Sequence, residues 1–209
     1  MIELFARNLT ERIRSGLPGI AAHSRMAPVT RPIKAFLPEE YPNARIGCVL
    51  ILVFPAPDGI QVALIKRPDY DGVHSGQISF PGGKLEAGDA SFYAAALRET
   101  EEEIGVPRTL INYIGDLSKV YIPPSNFFVH PFVGYTTEVP AFHPDIREVQ
   151  QVIQMPVDIL QHPDCKTTMR IQRGELDFEV PCYSFQTHRI WGATAIMLSE
   201  LELLLADLS

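Results

Sequence analysis

Cysteine is scarce in this chain. There are three in 209 residues, Cys48, Cys165 and Cys182, and they lie far apart. None has the spacing of a zinc site, and an odd, scattered set makes no disulfide framework. Reduced, buried thiols in a cytoplasmic setting are the expectation. Positive charge is also short: 18 Lys and Arg stand against 25 Asp and Glu, a formal net charge of −7. That balance argues against a nucleic-acid or anionic-membrane surface. No apolar run approaches the ~20 residues of a membrane span, and no charged-then-apolar leader is evident, so no membrane partner is expected. Internal repeats and low-complexity tracts are missing too. Pro81-Gly82-Gly83-Lys84 lacks the Walker A spacing, which disfavours an ATPase. The Gly-any-Ser-any-Gly elbow of serine hydrolases is absent as well.

What the chain does have is apolar content, 46% of its residues, enough for one good core in one domain with an appendage. Residues 1–40 read as that appendage, a helical extension followed by a connector. Ile2, Phe5, Leu9 and Ile13 share one side of the helix. The plainest reading packs that stripe on its own domain; a homodimer through it is the alternative. Leu17-Pro18-Gly19 ends the helix, and prolines at 28, 32, 38 and 42 make the connector extended. Residues 41–209 form the main domain. Ile46 to Phe54 reads as a buried central strand, Asp58-Gly59 as a turn, and Ile60 to Lys66 as the returning strand. Residues 110–120 and 127–137 read as further strands, and 148–155 reads equally as strand or helix. A short helical turn follows at 156–160. Residues 167–172 and 176–185 pair as a hairpin, and 191–205 is an apolar helical end with Trp191 turned inward. Strands mixed with two or three helices imply α/β layers.

One stretch carries the chemistry. Gln77 to Phe80 is a short strand, broken by Pro81-Gly82-Gly83 into a tight loop. From Ser91 to Ile104 the alanine-rich sequence favours helix, and Gly105-Val106-Pro107 stops it. At ~100° per residue, Glu99, Glu102 and Glu103 lie on one helix face. Ala90, Ala94, Leu97 and Ile104 share roughly the opposite face as a core stripe, with Ala95 and Ala96 flanking the acids. Like charges at such spacing destabilise an isolated helix by ~0.2–0.5 kcal/mol per pair. A cation would relieve them, and hard oxygen donors suit Mg²⁺ or Mn²⁺. A solvated acidic face is the plainer alternative; the glycine loop just before the helix favours the cation.

The run from Gly83 to Val106 resembles the Nudix box: Gly, five residues, Glu, seven residues, then Arg-Glu-apolar-any-Glu-Glu-any-Gly-apolar. Here Gly83 is followed by five residues and Asp89, then by eight residues and Arg98-Glu99-Thr100-Glu101-Glu102-Glu103-Ile104-Gly105-Val106. Asp89 for Glu, the extra residue before Arg98, and Thr100 at an apolar position are departures. The resemblance implies an α/β/α sandwich with a mixed β-sheet and a metal-dependent hydrolase of diphosphates. It implies Glu99 and Glu103 as principal metal ligands, with Glu102 either a further ligand or the base for water, and the Gly82 carbonyl completing the set. Arg98 would orient the acids, reaching Glu102 at i, i+4, and Asp89 would be structural, favouring the helix dipole. Nudix enzymes often add a carboxylate from outside the box; Glu148 is the first choice, with Glu138 and Asp145 open.

Upstream, Arg67, Gly76 and Phe80-Pro81-Gly82-Gly83 are similar in spacing to an extra signature of the coenzyme A pyrophosphatase subgroup. Pro68 and Gly72 depart from it, Gly72 standing where a second arginine belongs. Residues 190–195 and 123–134 are also similar to that subgroup, and the resemblance covers roughly 41–205. It implies a small-molecule, coenzyme A-like substrate cut to 4′-phosphopantetheine and adenosine 3′,5′-bisphosphate. Arg67 and Gly83 would face the substrate, unless Arg67 merely caps a strand end; His74 is a weaker contact. Other nucleoside diphosphate derivatives such as NADH or ADP-ribose, or ligand sensing without cleavage, remain the alternatives.

Overall fold

Ile46 to Phe54 can be aliphatic almost throughout because both of its faces are covered. The computed structural model describes residues 1–28, 43–68, 76–173 and 176–206, and this run is the heart of strand β1 (Arg45–Ala56). Ile51 and Val53 belong to one hydrophobic core; Cys48, Leu50, Leu52 and Phe54 belong to another on the opposite face. A two-residue turn at Pro57-Asp58 pairs Ala56 with Gly59, and β2 (Gly59–Lys66) returns antiparallel. β3 (Ile78–Ser79) pairs with the end of β2, the chain reverses at Phe80-Pro81, and β4 (Gly82–Lys84) pairs with the start of β1. The glycine loop is thus bonded to the central strand, with Leu50 N–H donating to the Pro81 carbonyl at 2.9 Å.

The N-terminal residues form helix α1 (Ile2–Ser15) and a single turn, α2 (Ile20–His23). After β4 comes α3 (Phe92–Ile104), then β5 (Asn112–Asp116), β6 (Val120–Ile122) and β7 (Phe127–Tyr135). β7 lies parallel to β1 while the other pairings in its sheet are antiparallel, so the sheet is mixed, ordered β3-β2-β1-β7-β5. β8 (Gln151–Pro156) joins the free side of β2. A second, antiparallel sheet holds β9 (Lys166–Arg173), β10 (Leu176–Phe185) and β11 (His188–Trp191), and α4 (Gly192–Leu205) closes the chain. α3 packs Ala95, Ala96 and Ile104 on one face of the large sheet; α1 and α4 cover the other with Ile2, Leu9, Ile196, Leu198 and Leu201. This is an α/β/α sandwich.

Two buried carboxylates join the chain's ends. Glu200 of α4, fully buried, accepts hydrogen bonds from Gly19 N–H (2.9 Å), Ser118 N–H (2.8 Å) and Ser118 Oγ (2.6 Å), and His23 Nε2 lies 3.3 Å away. Glu202 accepts from Arg25 (2.9 Å), Lys166 (2.7 Å) and the Tyr183 hydroxyl (2.5 Å).

Several sequence expectations change. The strand expected over 110–120 is a 3-10 turn at Arg108–Leu110 followed by β5 and β6. The break between them follows from Ser118, whose backbone and hydroxyl are bonded to Glu200. The core stripe of α3 runs through Ala95, Ala96, Thr100, Glu103 and Ile104 rather than Ala90 and Ala94. Glu99 and Glu103 lie against the glycine loop, with Glu102 left open to water, which moves the buried face toward Glu103. Thr100 fits there because its hydroxyl donates to the Ala96 carbonyl at 2.7 Å. Trp191 is half-exposed at the end of β11, a strand too short for the pattern to show. Of residues 148–155, those from 151 on resolve as strand β8, while 148–150 stay irregular ahead of it. The connector at 29–42, Gly72, His74 and the hairpin tip at 174–175 lie outside the described residues.

Candidate active site

Ser91 starts α3 by accepting a hydrogen bond from Ala94 N–H at 3.0 Å, and Gly105 ends it in the left-handed region, φ 71°. The glycine loop is held closely on two sides, Gly82 by the backbone of β1 and Gly83 by the end of the Glu99 side chain on the helix. A Cβ on Gly82 would lie 2.4 Å from the Cys48 carbonyl oxygen, and φ there is 151°. A Cβ on Gly83 would lie 2.5 Å from the Glu99 carboxylate.

Glu103, only 2% exposed, accepts from Gly82 N–H at 2.7 Å. The ladder bonds between β1 and β4 fall at Leu50/Pro81 and Ile46/Leu85, so Gly82 sits between them with its peptide groups turned off β1. On the other side of Glu103, Arg67 Nη1 stands 3.7 Å from Oε1. Arg67 therefore points into the acid cluster instead of capping a strand end in water, and its buried Nε has no hydrogen-bond partner. Burial pushes the Glu103 pKa up to about 8; the charges of Glu99 and Glu148 add to the rise, and Gly82 N–H and Arg67 oppose it. Burial also raises Glu99, whose side chain is 14% exposed, against the pull of Arg98. Glu102 is the open member, 58% exposed.

Arg98 ties the group together. Its Nη1 donates to Glu99 Oε1 and to Glu102 Oε2, both at 2.9 Å. Its Nε and Nη2 grip Asp89 at 3.0 and 3.1 Å, and Nη2 also reaches the Lys84 carbonyl at 3.2 Å. Asp89 is thus the anchor of Arg98, a more specific task than favouring the helix dipole. Its own carboxylate accepts from Glu86 N–H at 2.8 Å, and the Arg98 guanidinium foremost holds its pKa below the usual range.

The loop after β7 docks on the end of α3, with Asp145 N–H donating to the Glu103 carbonyl (3.0 Å) and His143 N–H to that of Ile104 (2.9 Å). This sets exposed Glu148 where its charge acts on both Glu99 and Glu103. Asp145 is committed to Arg147, at 2.5 Å, which holds its pKa down to about 2. Glu138 follows β7, its carbonyl accepting from the Thr136 hydroxyl. All three cysteines are buried and free, and burial first, then the charges of Asp89 and Glu99, push Cys48 up to about 11. None of these thiols offers a nucleophile.

Sequence reasoning missed the Lys84 carbonyl as a rest for Arg98 and the docking of the 143–149 loop. Both depend on chain approaches that no local pattern encodes. The carboxylate oxygens match a hard divalent ion in chemistry. As held here Arg98 and Gly82 take several of them, and among the described residues no three acidic, histidine or cysteine side chains converge on one point.

An α/β/α sandwich that lays a helix face of carboxylates on a Gly-Gly loop defines a class of fold and site, and comparison with known proteins supplies its family. The NUDIX domain profile matches residues 45–170. NudL Nudix hydrolases from an Enterobacter species and from Yersinia enterocolitica are 36% and 31% identical over 162 and 159 residues. Those alignments cover 77% and 76% of this chain, and 83% and 80% of the relatives. The chain belongs to the Nudix hydrolase family, and it is an enzyme acting on nucleoside diphosphate derivatives. In fold it is similar to a Nudix hydrolase of M. smegmatis, RenU, with TM-score 0.55 and 17% identity over 79% of this chain and 88% of that one. A MutT/nudix family protein from Enterococcus faecalis gives TM-score 0.51 and 14% identity, covering 86% of this chain and 72% of that one.

Proposed function

We propose that this enzyme hydrolyses the diphosphate linkage of coenzyme A or its acyl derivatives, using Mg²⁺ or Mn²⁺. The observation that carries the site is Glu103, driven almost out of water between Gly82 N–H and Arg67, with Glu99 laid on Gly83 beside it. Such carboxylates gain most from a divalent cation. Glu99, Glu102, Glu103 and the Gly82 carbonyl are the groups to hold it. Once bound, the ion neutralises charge growing on the phosphoryl oxygens and acidifies water.

The chain's own groups do the rest. Asp89 holds Arg98, and Arg98 spaces Glu99 and Glu102. Glu102, the most exposed of the three, is placed to accept the proton of the attacking water or to serve as a further ligand, with Glu148 the additional acid beside them. Arg67, whose guanidinium lies beside Glu103, is the group to meet a substrate phosphate at the edge of the cluster.

The coenzyme A reading rests on the Arg67, Gly76 and Phe80 to Gly83 spacing. Gly72 in place of an arginine is the feature that favours the second reading, another nucleoside diphosphate derivative such as NADH or ADP-ribose. Incubation with Mg²⁺ or Mn²⁺ and coenzyme A, an acyl-coenzyme A, NADH and ADP-ribose, followed by chromatography, separates the two. Coenzyme A yielding 4′-phosphopantetheine is the expected outcome, and cleavage of ADP-ribose alone would overturn it. Glu103→Gln should remain folded and lose at least about 10²-fold in kcat, as removal of a group acting on the transition state does.

A further inference from the structure

β3 is two residues long, yet both groups that flank Glu103 hang on it. Just before it, the Gln77 carbonyl accepts from Arg67 N–H at 3.0 Å, which sets where the Arg67 side chain leaves the backbone. Just after it, Phe80-Pro81 leads to Gly82, whose N–H holds the Glu103 carboxylate at 2.7 Å. The far end of that loop is fixed by β1, through Leu50 N–H on the Pro81 carbonyl. The near end pairs with β2 at two positions, Ser79 opposite Ile65 and Ile78 opposite Lys66. Hydrogen bonding alternates along an antiparallel pair. Since Arg67 and Gln77 are bonded, Lys66 and Ile78 are not, and the Ile78 carbonyl turns away from β2. A buried carbonyl so placed needs another donor. Thr194, in the first turn of α4 and 6% exposed, supplies it, its hydroxyl donating to the Ile78 carbonyl at 2.9 Å.

We infer that Thr194 is a positioning residue for the acid cluster: by holding the Ile78 carbonyl it fixes β3, and through β3 the placing of Gly82 N–H and Arg67 on Glu103. Its consequence for a metal rests on the divalent-ion reading above. The reach is through backbone. Thr194 touches no acid of the cluster, but the segment it pins is joined to one neighbour of Glu103 by a hydrogen bond and to the other by three residues of chain. A carboxylate held between two such neighbours shifts when they shift, and ligand placing of that kind governs metal affinity.

The test sets two hydroxyls of α4 against each other. Ser199, also buried, donates to the Ala22 carbonyl at the same 2.9 Å, but that bond ties α4 to the N-terminal segment and leaves β3 alone. Thr194→Val, Thr194→Ala, Thr194→Ser and Ser199→Ala are compared with the wild type by calorimetric titration with Mn²⁺. The magnetic resonance shift and hydrogen exchange of the Gly82 amide are followed alongside, with thermal unfolding. Loss of either hydroxyl should lower Tm, since each leaves a buried carbonyl unpaired. Thr194→Val and Thr194→Ala should in addition weaken Mn²⁺ binding by about tenfold, as removal of a group that orients a ligand does. They should also shift the Gly82 amide and speed its exchange, and Thr194→Ser should restore both. Should crowding at the carbonyl keep Thr194→Val from folding, Thr194→Ala, which leaves a gap there, carries the comparison. Thr194 variants that lose stability but keep wild-type Mn²⁺ affinity, or a Ser199→Ala protein that loses as much affinity, would overturn the inference. A wild type that takes up no Mn²⁺ would defeat the metal reading instead, and the Gly82 amide then decides. The positioning role stands if Thr194→Ala moves that amide and Ser199→Ala does not, and falls if both or neither do.

Discussion

Glu200→Gln is a change of one atom, and it should cost a large part of the protein's stability. The carboxylate is fully buried and its two oxygens serve four groups: Gly19 N–H and Ser118 Oγ on one, Ser118 N–H and His23 Nε2 on the other. A glutamine NH₂ at either position faces a backbone N–H, so one buried donor loses its acceptor whichever way the amide turns. That orphan costs about 1–3 kcal/mol, and the surviving bonds lose their charge assistance, about 1 kcal/mol more. A total near 3 kcal/mol lowers Tm by roughly 6–12 °C in a chain of this size. The pH dependence has a definite sign. Burial alone would raise the Glu200 pKa, but the bonds from His23, Ser118 and Gly19 outweigh it and hold it below its usual value. A depressed carboxylate contributes stability above its unfolded pKa and loses it as pH falls through the folded one. The gap between wild type and Glu200→Gln, read by calorimetry or urea titration, should therefore be full at pH 7 and shrink in acid. A gap under about 1 kcal/mol at pH 7, or one that widens toward pH 4, would refute the reasoning.

Gly83→Ala should fold, because its new methyl meets the movable end of Glu99, yet it should weaken Mn²⁺ binding by about tenfold or more by displacing that carboxylate; calorimetric titration with Mn²⁺ checks this. Ser91→Ala removes the cap on Ala94 N–H and should cost about 1 kcal/mol in a denaturant titration, with kcat little changed.

The central strand, the glycine loop and the acid-bearing helix were legible in the sequence because each is written in contiguous residues. Two-faced burial makes Ile46 to Phe54 uniformly aliphatic, and Ser91 and Gly105 mark helix ends; Pro81 marks a reversal, but Gly82 and Gly83, expected in the loop, pair with β1 as strand β4. What stayed hidden depends on distant partners. Glu200 and Glu202 look like the polar side of an apolar helix until Gly19, His23 and Arg25 close on them. β5 and β6 look like one strand until Ser118 is drawn away. Asp89 looks like a dipole partner until the fold brings the Arg98 guanidinium onto it. The acids themselves were legible by phase, but not that Glu103 would be the buried one, because that follows from how closely α3 crosses Gly82.

The reversal at Phe80-Pro81 stands in the place where β1 and β2 part, so its backbone bonds are also bonds of the main sheet. Chemistry and cohesion therefore share one set of contacts. Whatever loosens the middle of the sheet silences the acid cluster at the same moment.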